Sequence, residues 1–299
     1  MSDKKTPPSN DSQENSEAVK ANNSDVLYNL LDAKMEVPLG FLRQQHIFIA
    51  TPCYGGQIGE PYFRSMMQLA ILCNKYGIRY TVSTLANESL VTRGRNTLTS
   101  FFMENPDATH LFFIDADIEF KAEDLLRMVA HDKPVIVGAY PKKAINWDSI
   151  IHAARNHEDE TPKTIEGHSS NYVVNFDLVK DEDGKPTPQV QIRDNLVKLK
   201  DAGTGFMCIK REVIQKLFDE HPEMKYVNDL NIDPKFEPYM YALFDTMIDP
   251  DSRRYLSEDY TFCRLWQALG GEIWLDPRTA LNHVGHYTFR GNIRKLFRE

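Results

Sequence analysis

The sequence lacks any apolar run that approaches the roughly 18–20 residues needed to span a bilayer. Its opening stretch, "MSDKKTPPSNDSQENSEAVKANNSD", lacks the hydrophobic segment of a secretory leader. The expectation is a cytoplasmic protein with no transmembrane segment, for which peripheral membrane contact stays open. Cysteine is scarce: Cys53, Cys73, Cys208 and Cys263 lie far apart and form no CxxC, which points to buried free thiols in a reducing compartment. An excess of basic residues is missing too. The net charge of −8 argues against a nucleic-acid binder, although it does not exclude a small anionic ligand. No repeat recurs at a fixed period. "GTGF" at 203–206 has neither GxGxxG nor GxxxxGK[ST] spacing, so phosphate-loop folds receive no support.

What is present fits an ordinary globular core, with 41% apolar residues in 299. Residues 1–24 are rich in Ser, Asn, Lys, Glu and Pro and cannot bury enough surface to offset their ordering entropy, so they read as a disordered tail. A short helix is expected at "SDVLYNLLDAKM", and 25–299 reads as a single domain. From Ile47 to Pro141, apolar strands alternate with helical stretches such as "EPYFRSMMQLAILCNKYG" and "ESLVTRGRNTLTSFFMEN". Strand–helix alternation predicts an α/β fold with a mostly parallel sheet flanked by helices. After Lys143, "NYVVNFDLVK" and "PQVQIRDNLVKLKDAG", separated by the turn-rich "DEDGKPTP", predict a smaller antiparallel excursion.

Chemistry concentrates in "HLFFIDADIEF", where Asp115 and Asp117 follow an apolar run. If strand geometry continues, residues i and i+2 project to one side, and ligands of open α/β sheets bind outside the carboxyl ends of strands. Two clustered carboxylates need a cation or protons nearby, and hard oxygen ligands suit Mg²⁺ or Mn²⁺ alongside a phosphate. Solvated turn aspartates are the plainer alternative. In "YLSEDYTF", Glu258 and Asp259 open a helix, where acids complement the dipole and Ser257 reads as the N-cap.

Four features, in this order, resemble the metal-dependent glycosyltransferases of the GT-A fold, in the broad family-2-like group: the DxD of "FIDADI", the glycines of "DAGTGFMCIKREVI", the acidic pair of "YLSEDYTF", and a histidine in "LNHVGHYTFRG". The resemblance spans about residues 45 to 292. It implies a GT-A (Rossmann-like) sheet, with a nucleotide-binding half at 45–143 and an acceptor and catalytic half at 144–299. It also implies a nucleotide-diphosphate sugar as donor, Mn²⁺ or Mg²⁺ as cofactor, and a glycan, lipid or protein hydroxyl as acceptor.

By that resemblance Asp117 is a direct metal ligand and Asp115 meets the ribose or the metal. His283 or His286 completes the set, with His283 favoured because it stands in "HVG". Asp259 becomes the base of an inverting reaction, with Glu258 positioning the acceptor; a retaining outcome would remove that role. Thr51, Pro52 and Tyr54 of "ATPCYGG" are candidates for the base and ribose, and Arg93, Arg95 and Asn96 of "TRGRN" for phosphate or a base edge. Lys142 and Lys143 could face the diphosphate and Trp147 the sugar. Gly203 and Gly205 would let donor or acceptor approach the backbone. Two rivals remain: a non-catalytic sugar-nucleotide or glycan-binding relative, and a haloacid-dehalogenase-type phosphatase. The phosphatase normally begins with its DxD and carries Thr or Val where Glu119 stands here.

Overall fold

The computed structural model describes residues 38–157, 159–162, 164–285 and 287–293. The expected tail at 1–24, the expected helix at 24–35 and His286 lie outside the described residues.

Eleven strands and six helices position the site. The first half supplies β1 (His46–Cys53), α1 (Glu60–Tyr76), β2 (Arg79–Ala86), α2 (Val91–Glu104), β3 (His110–Ile114), β4 (Ile118–Glu119), α3 (Ala122–Ala130) and β5 (Val135–Val137). The second half supplies α4 (Trp147–Asn156), β6 (Val174–Phe176), β7 (Leu196–Ala202), β8 (Phe206–Lys210), α5 (Arg211–Glu220), α6 (Glu258–Ala268), β9 (Ile273–Leu275), β10 (Asn282–Val284) and β11 (Thr288–Arg290). α1 shows why such boundaries are legible in sequence. Pro61 stands at its start, where a missing N–H costs nothing, and Gly77 ends it in the left-handed region at φ 68°.

The main sheet runs β2-β1-β3-β8-β5-β9-β7-β6. β1 pairs in parallel with β2 and β3, and β9 with β5. β8 runs antiparallel between β3 and β5, and β7 is antiparallel to β9 and β6. The expected alternation is therefore interrupted at one place: a strand from the later half inserts between two early ones. The expected antiparallel excursion is there as well, in β6, β7 and a hairpin of 178–180 with 186–190.

Alternation along each strand builds two cores. Phe48 and Ala50 of β1, Leu111 and Phe113 of β3, and Met207 and Ile209 of β8 face α2, α5 and α6, meeting Phe102, Leu217 and Phe262. Ile47 and Ile49, Phe112 and Ile114, and Phe206 and Cys208 face α1 and α3, meeting Leu69, Leu125 and Val129. Strands buried on both faces read as unbroken apolar runs, which is why β3 is "HLFFI". All four cysteines are free and buried.

Candidate functional site

Strand geometry stops at Ile114. The Ile118 N–H donates to the Asp115 carbonyl at 3.0 Å, closing a tight turn over Asp115–Ile118. The two carboxylates therefore do not project together, as continued strand geometry would require. Three other segments hold this turn by its backbone. Asp115 N–H donates to the Gly205 carbonyl at 3.0 Å, Gly59 N–H to the Ala116 carbonyl at 2.7 Å, and Val284 N–H to the Asp117 carbonyl at 2.8 Å. β10 also pairs with β4, His283 opposite Ile118. The acidic turn is thus fixed where four distant parts of the chain meet.

From that turn the carboxylates diverge. Asp115 accepts from the Arg95 guanidinium at 2.9 Å. Asp117 pairs with Lys143 through one oxygen and lies 3.4 Å from His283 Nε2 through the other. Burial works against the Asp117 charge, but His283 and Lys143 outweigh it and hold the carboxyl below its ordinary range. The His283 ring is oriented from behind. Its Nδ1 lies 2.9 Å from the Pro141 carbonyl, a contact only an N–H can make, and the Tyr140 ring meets it edge-on at 5.4 Å.

That orientation bears on a metal. The Nδ1 contact with Pro141 leaves Nε2 directed at the Asp117 carboxylate, the nitrogen through which this imidazole could bind a metal. Ligands bound at about 2.1 Å to one octahedral ion sit roughly 3 Å apart, close to the spacing found. Among the described residues no group of three or more His, Cys, Asp and Glu side chains gathers to hold an ion. Asp117 and His283 therefore fit an ion whose remaining ligands come from elsewhere, which suits Mg²⁺ or Mn²⁺ on a phosphate.

The acidic pair lies on the far side of Arg95. Glu258 accepts from Arg95 Nε at 3.4 Å, so one guanidinium joins it to Asp115. Ser257 does not cap α6 by its side chain; its hydroxyl donates instead to Asp259, which also accepts the Tyr260 N–H at 2.8 Å. Burial, reinforced by the Glu258 charge, pushes the Asp259 carboxyl up to about 6 despite the Ser257 hydrogen bond. Tyr140 stands between the acids. Burial and the charges of Asp115 and Asp259 push its phenol well above its ordinary value.

A cavity of about 480 Å³ is lined by the loop after β1, the start of α2, the acidic turn and β10, while Tyr140, Glu258 and Asp259 are not among its lining residues. Pro52 and Tyr54 line it, and Tyr54 is 80% exposed at a turn where Gly55 and Gly56 take φ of 65° and 70°. Asp115, Asp117, Arg95 and His283 line it as well.

Other expected ligand contacts fall elsewhere. Thr51 is fully buried against the Tyr62 hydroxyl at 2.7 Å. Arg93 is held by both oxygens of Glu88, at 2.6 and 2.9 Å. Asn96 is buried with its amide bound at both ends by the Phe244 backbone. The Arg95 fork is occupied by carboxylates rather than open to phosphate. A side chain at Gly205 would strike Tyr140 at 2.7 Å and Asp115 at 2.8 Å, and one at Gly203 the Tyr140 hydroxyl at 2.2 Å. These glycines make room for Tyr140 and Asp115, not for a ligand. Lys142 is exposed, and Trp147 is 63% exposed at the start of α4.

Sequence reasoning passed over Tyr140 and Glu88. Tyr140 sits in "GAYPKK", an apolar run and a turn that carry no mark of an acidic neighbourhood. Glu88 left a usable signal, an acid just before a helix with an arginine five residues on.

No family model matches this chain, and no curated protein does. Among solved structures it is similar to A197 from STIV, at 15% identity over 83% of this chain and 94% of that one, with a TM-score of 0.43. It is similar to GalNAc-T7 with UDP, GalNAc and Mn²⁺, at 11% identity over 81% of this chain and 44% of that one, with a TM-score of 0.37. A third likeness, to 4-diphosphocytidyl-2C-methyl-D-erythritol synthase from Anaerococcus prevotii, has 8% identity over 66% and 84% and a TM-score of 0.29. Scores this low establish no shared family. No described helix is long and apolar enough to cross a membrane.

Proposed function

We propose that this chain is a metal-assisted glycosyltransferase of the GT-A kind, which moves a sugar from a nucleotide-diphosphate sugar to a hydroxyl acceptor. The observation that carries this reading is the meeting of Asp117 and His283 at 3.4 Å on a cavity wall. Asp259 belongs to the same charged cluster through Glu258 and Arg95. Asp117 and His283 would hold the ion, with the donor's diphosphate supplying further oxygens. A bound Mn²⁺ or Mg²⁺ would stabilise the negative charge that develops on the departing diphosphate.

The chain's own residues supply the rest. Tyr54 offers an open aromatic face at the cavity mouth for a nucleobase. Lys143 brings an ammonium to the acidic turn, where it suits the diphosphate. Asp259 takes the proton of the acceptor hydroxyl as that oxygen attacks the anomeric carbon and the carbon–diphosphate bond breaks. A carboxyl raised to about 6 is ionised at neutral pH and still a competent proton acceptor. Direct attack of this kind inverts the anomeric centre.

The test mixes the protein with Mn²⁺ and a panel of nucleotide sugars and follows binding and slow hydrolysis. Wild-type protein binds at least one donor, and Asp117→Ala abolishes metal-dependent binding. A protein that ignores every donor, or an Asp117→Ala variant indistinguishable from wild type, sinks the reading. The product's anomeric configuration decides between the inverting and retaining outcomes.

A further inference from the structure

Arg95 carries more than a local ion pair. It is 3% exposed, stands on the second turn of α2, and lies over the Phe113 ring with its guanidinium carbon 5.3 Å from the centroid. Its Nη2 binds Asp115 at 2.9 Å, 20 residues on, and its Nε binds Glu258 at 3.4 Å, 163 residues on. Nη1 is buried without a hydrogen bond. Burial works against its charge, but Asp115 and Glu258 outweigh burial and hold it more firmly protonated than usual. The two carboxylates belong to different halves of the chain. One opens the acidic turn and the other precedes Asp259 on α6.

We propose that Arg95 is a positioning residue, a buried guanidinium that ties Asp115 on the donor side to Glu258 on the acceptor side and fixes Asp259 relative to the donor. The inference rests on the glycosyltransferase reading above. The planar fork is what the task requires. Two carboxylates approach from different directions, and a rigid guanidinium can meet both, whereas a lysine ammonium on a flexible stem holds one contact at a time in a space cut for a larger group.

The test uses the full chain with Arg95→Lys, Arg95→Met, Glu258→Gln and the Arg95→Met/Glu258→Gln double variant. Readouts are the thermal midpoint, calorimetric affinity for a nucleoside diphosphate with Mn²⁺, and kcat and KM for donor hydrolysis. Arg95→Lys keeps the charge and so protects folding. It is expected to lower kcat about tenfold or more while nucleotide affinity stays within about threefold, since a small misplacement acts on the reacting geometry. Glu258→Gln is expected to add less than about twofold to Arg95→Met, because the two act through each other. Unchanged kcat in Arg95→Lys, a fall in kcat matched by the loss of folded protein, or multiplying effects in the double variant overturns the proposal. Wild-type protein that neither binds nor hydrolyses any donor sinks the glycosyltransferase reading instead. The cycle is then read in thermal midpoints, where coupling upholds the tie and additivity overturns it.

Discussion

Two aspartates follow apolar strands at the same edge of the sheet and meet opposite fates. Asp115 follows β3 and opens the acidic turn; Asp276 follows β9, which runs in the same direction. Both are paired with arginine, Asp115 with Arg95 and Asp276 with Arg127 and Arg278. Asp276 is fully buried, bound by Arg127 Nε at 2.7 Å and Arg278 Nε at 2.9 Å, with His131 at 3.7 Å, while Arg127 also holds Asp124 at 2.7 Å. It lines no part of the cavity, whereas Asp115 and Asp117 form its wall. Burial opposes the Asp276 charge, yet His131, Arg127 and Arg278 hold its carboxyl far below the ordinary range. An apolar strand ending in aspartate is therefore no evidence of a site by itself. What separates the two is whether protein cations close the carboxylate off or leave it facing a space a ligand can enter.

Asp276→Ala bears on that contrast most heavily. Removing it takes the shared carboxylate from two largely buried guanidinium groups, of which Arg127 keeps Asp124, and chemical denaturation is expected to show a loss of about 3 kcal/mol. Asp117→Ala is expected to change stability little and donor binding strongly. Reversed outcomes would mean that the cavity-side cluster is the structural one. The stability that Asp276 contributes is present above its unfolded pKa and lost as pH falls toward its depressed folded value.

Asp259→Asn comes next. Loss of a general base is expected to cut turnover about 10²–10⁴-fold. The wild-type rate should rise with pH through about 6, the value to which burial lifts this carboxyl. Stability runs the other way. The folded state binds this proton more tightly than the unfolded chain, whose carboxyl titrates near 3.8, so the contribution favours folding at low pH and is lost as pH rises through about 6. Asp259→Asn should therefore be more stable than wild type above pH 6, by about 1–2 kcal/mol. An active variant that is less stable would place Asp259 with Asp276 among the structural acids.

Asn96→Ala should cost about 1–3 kcal/mol by leaving the Phe244 backbone unmet, with donor affinity unchanged in calorimetry. The smallest effect belongs to Tyr54→Ala. Donor affinity should fall by about 0.5–1.5 kcal/mol with no change in thermal midpoint, which sharpens the separation between the cavity rim and the core.

Much of the fold was readable from periodicity. β1, β3 and β8 are apolar runs because they are buried on both faces, and α1 announces its ends with Pro61 and Gly77. The site was readable only in part. Residue types pointed to Asp115, Asp117, Glu258, Asp259 and His283, and these lie in or beside one charged cluster. Thr51, Arg93 and Asn96 bind protein groups rather than the cavity, because their neighbours in sequence are not their partners in space. Tyr62, Glu88 and Phe244 occupy them.

By itself the sequence determined where the strands and helices stand, since burial imposes a period on each, and which stretches carry clustered carboxylates. Tertiary structure decided the rest. Asp115 and Asp117 were expected to act side by side, but a single turn sends one to Arg95 and the other to Lys143 and His283. The insertion of β8 between β3 and β5 brings Gly205 beneath Asp115, and pairing of β10 with β4 brings His283 to Asp117. These meetings depend on contacts between residues far apart in the chain, and no local pattern records which distant strand will pair with which.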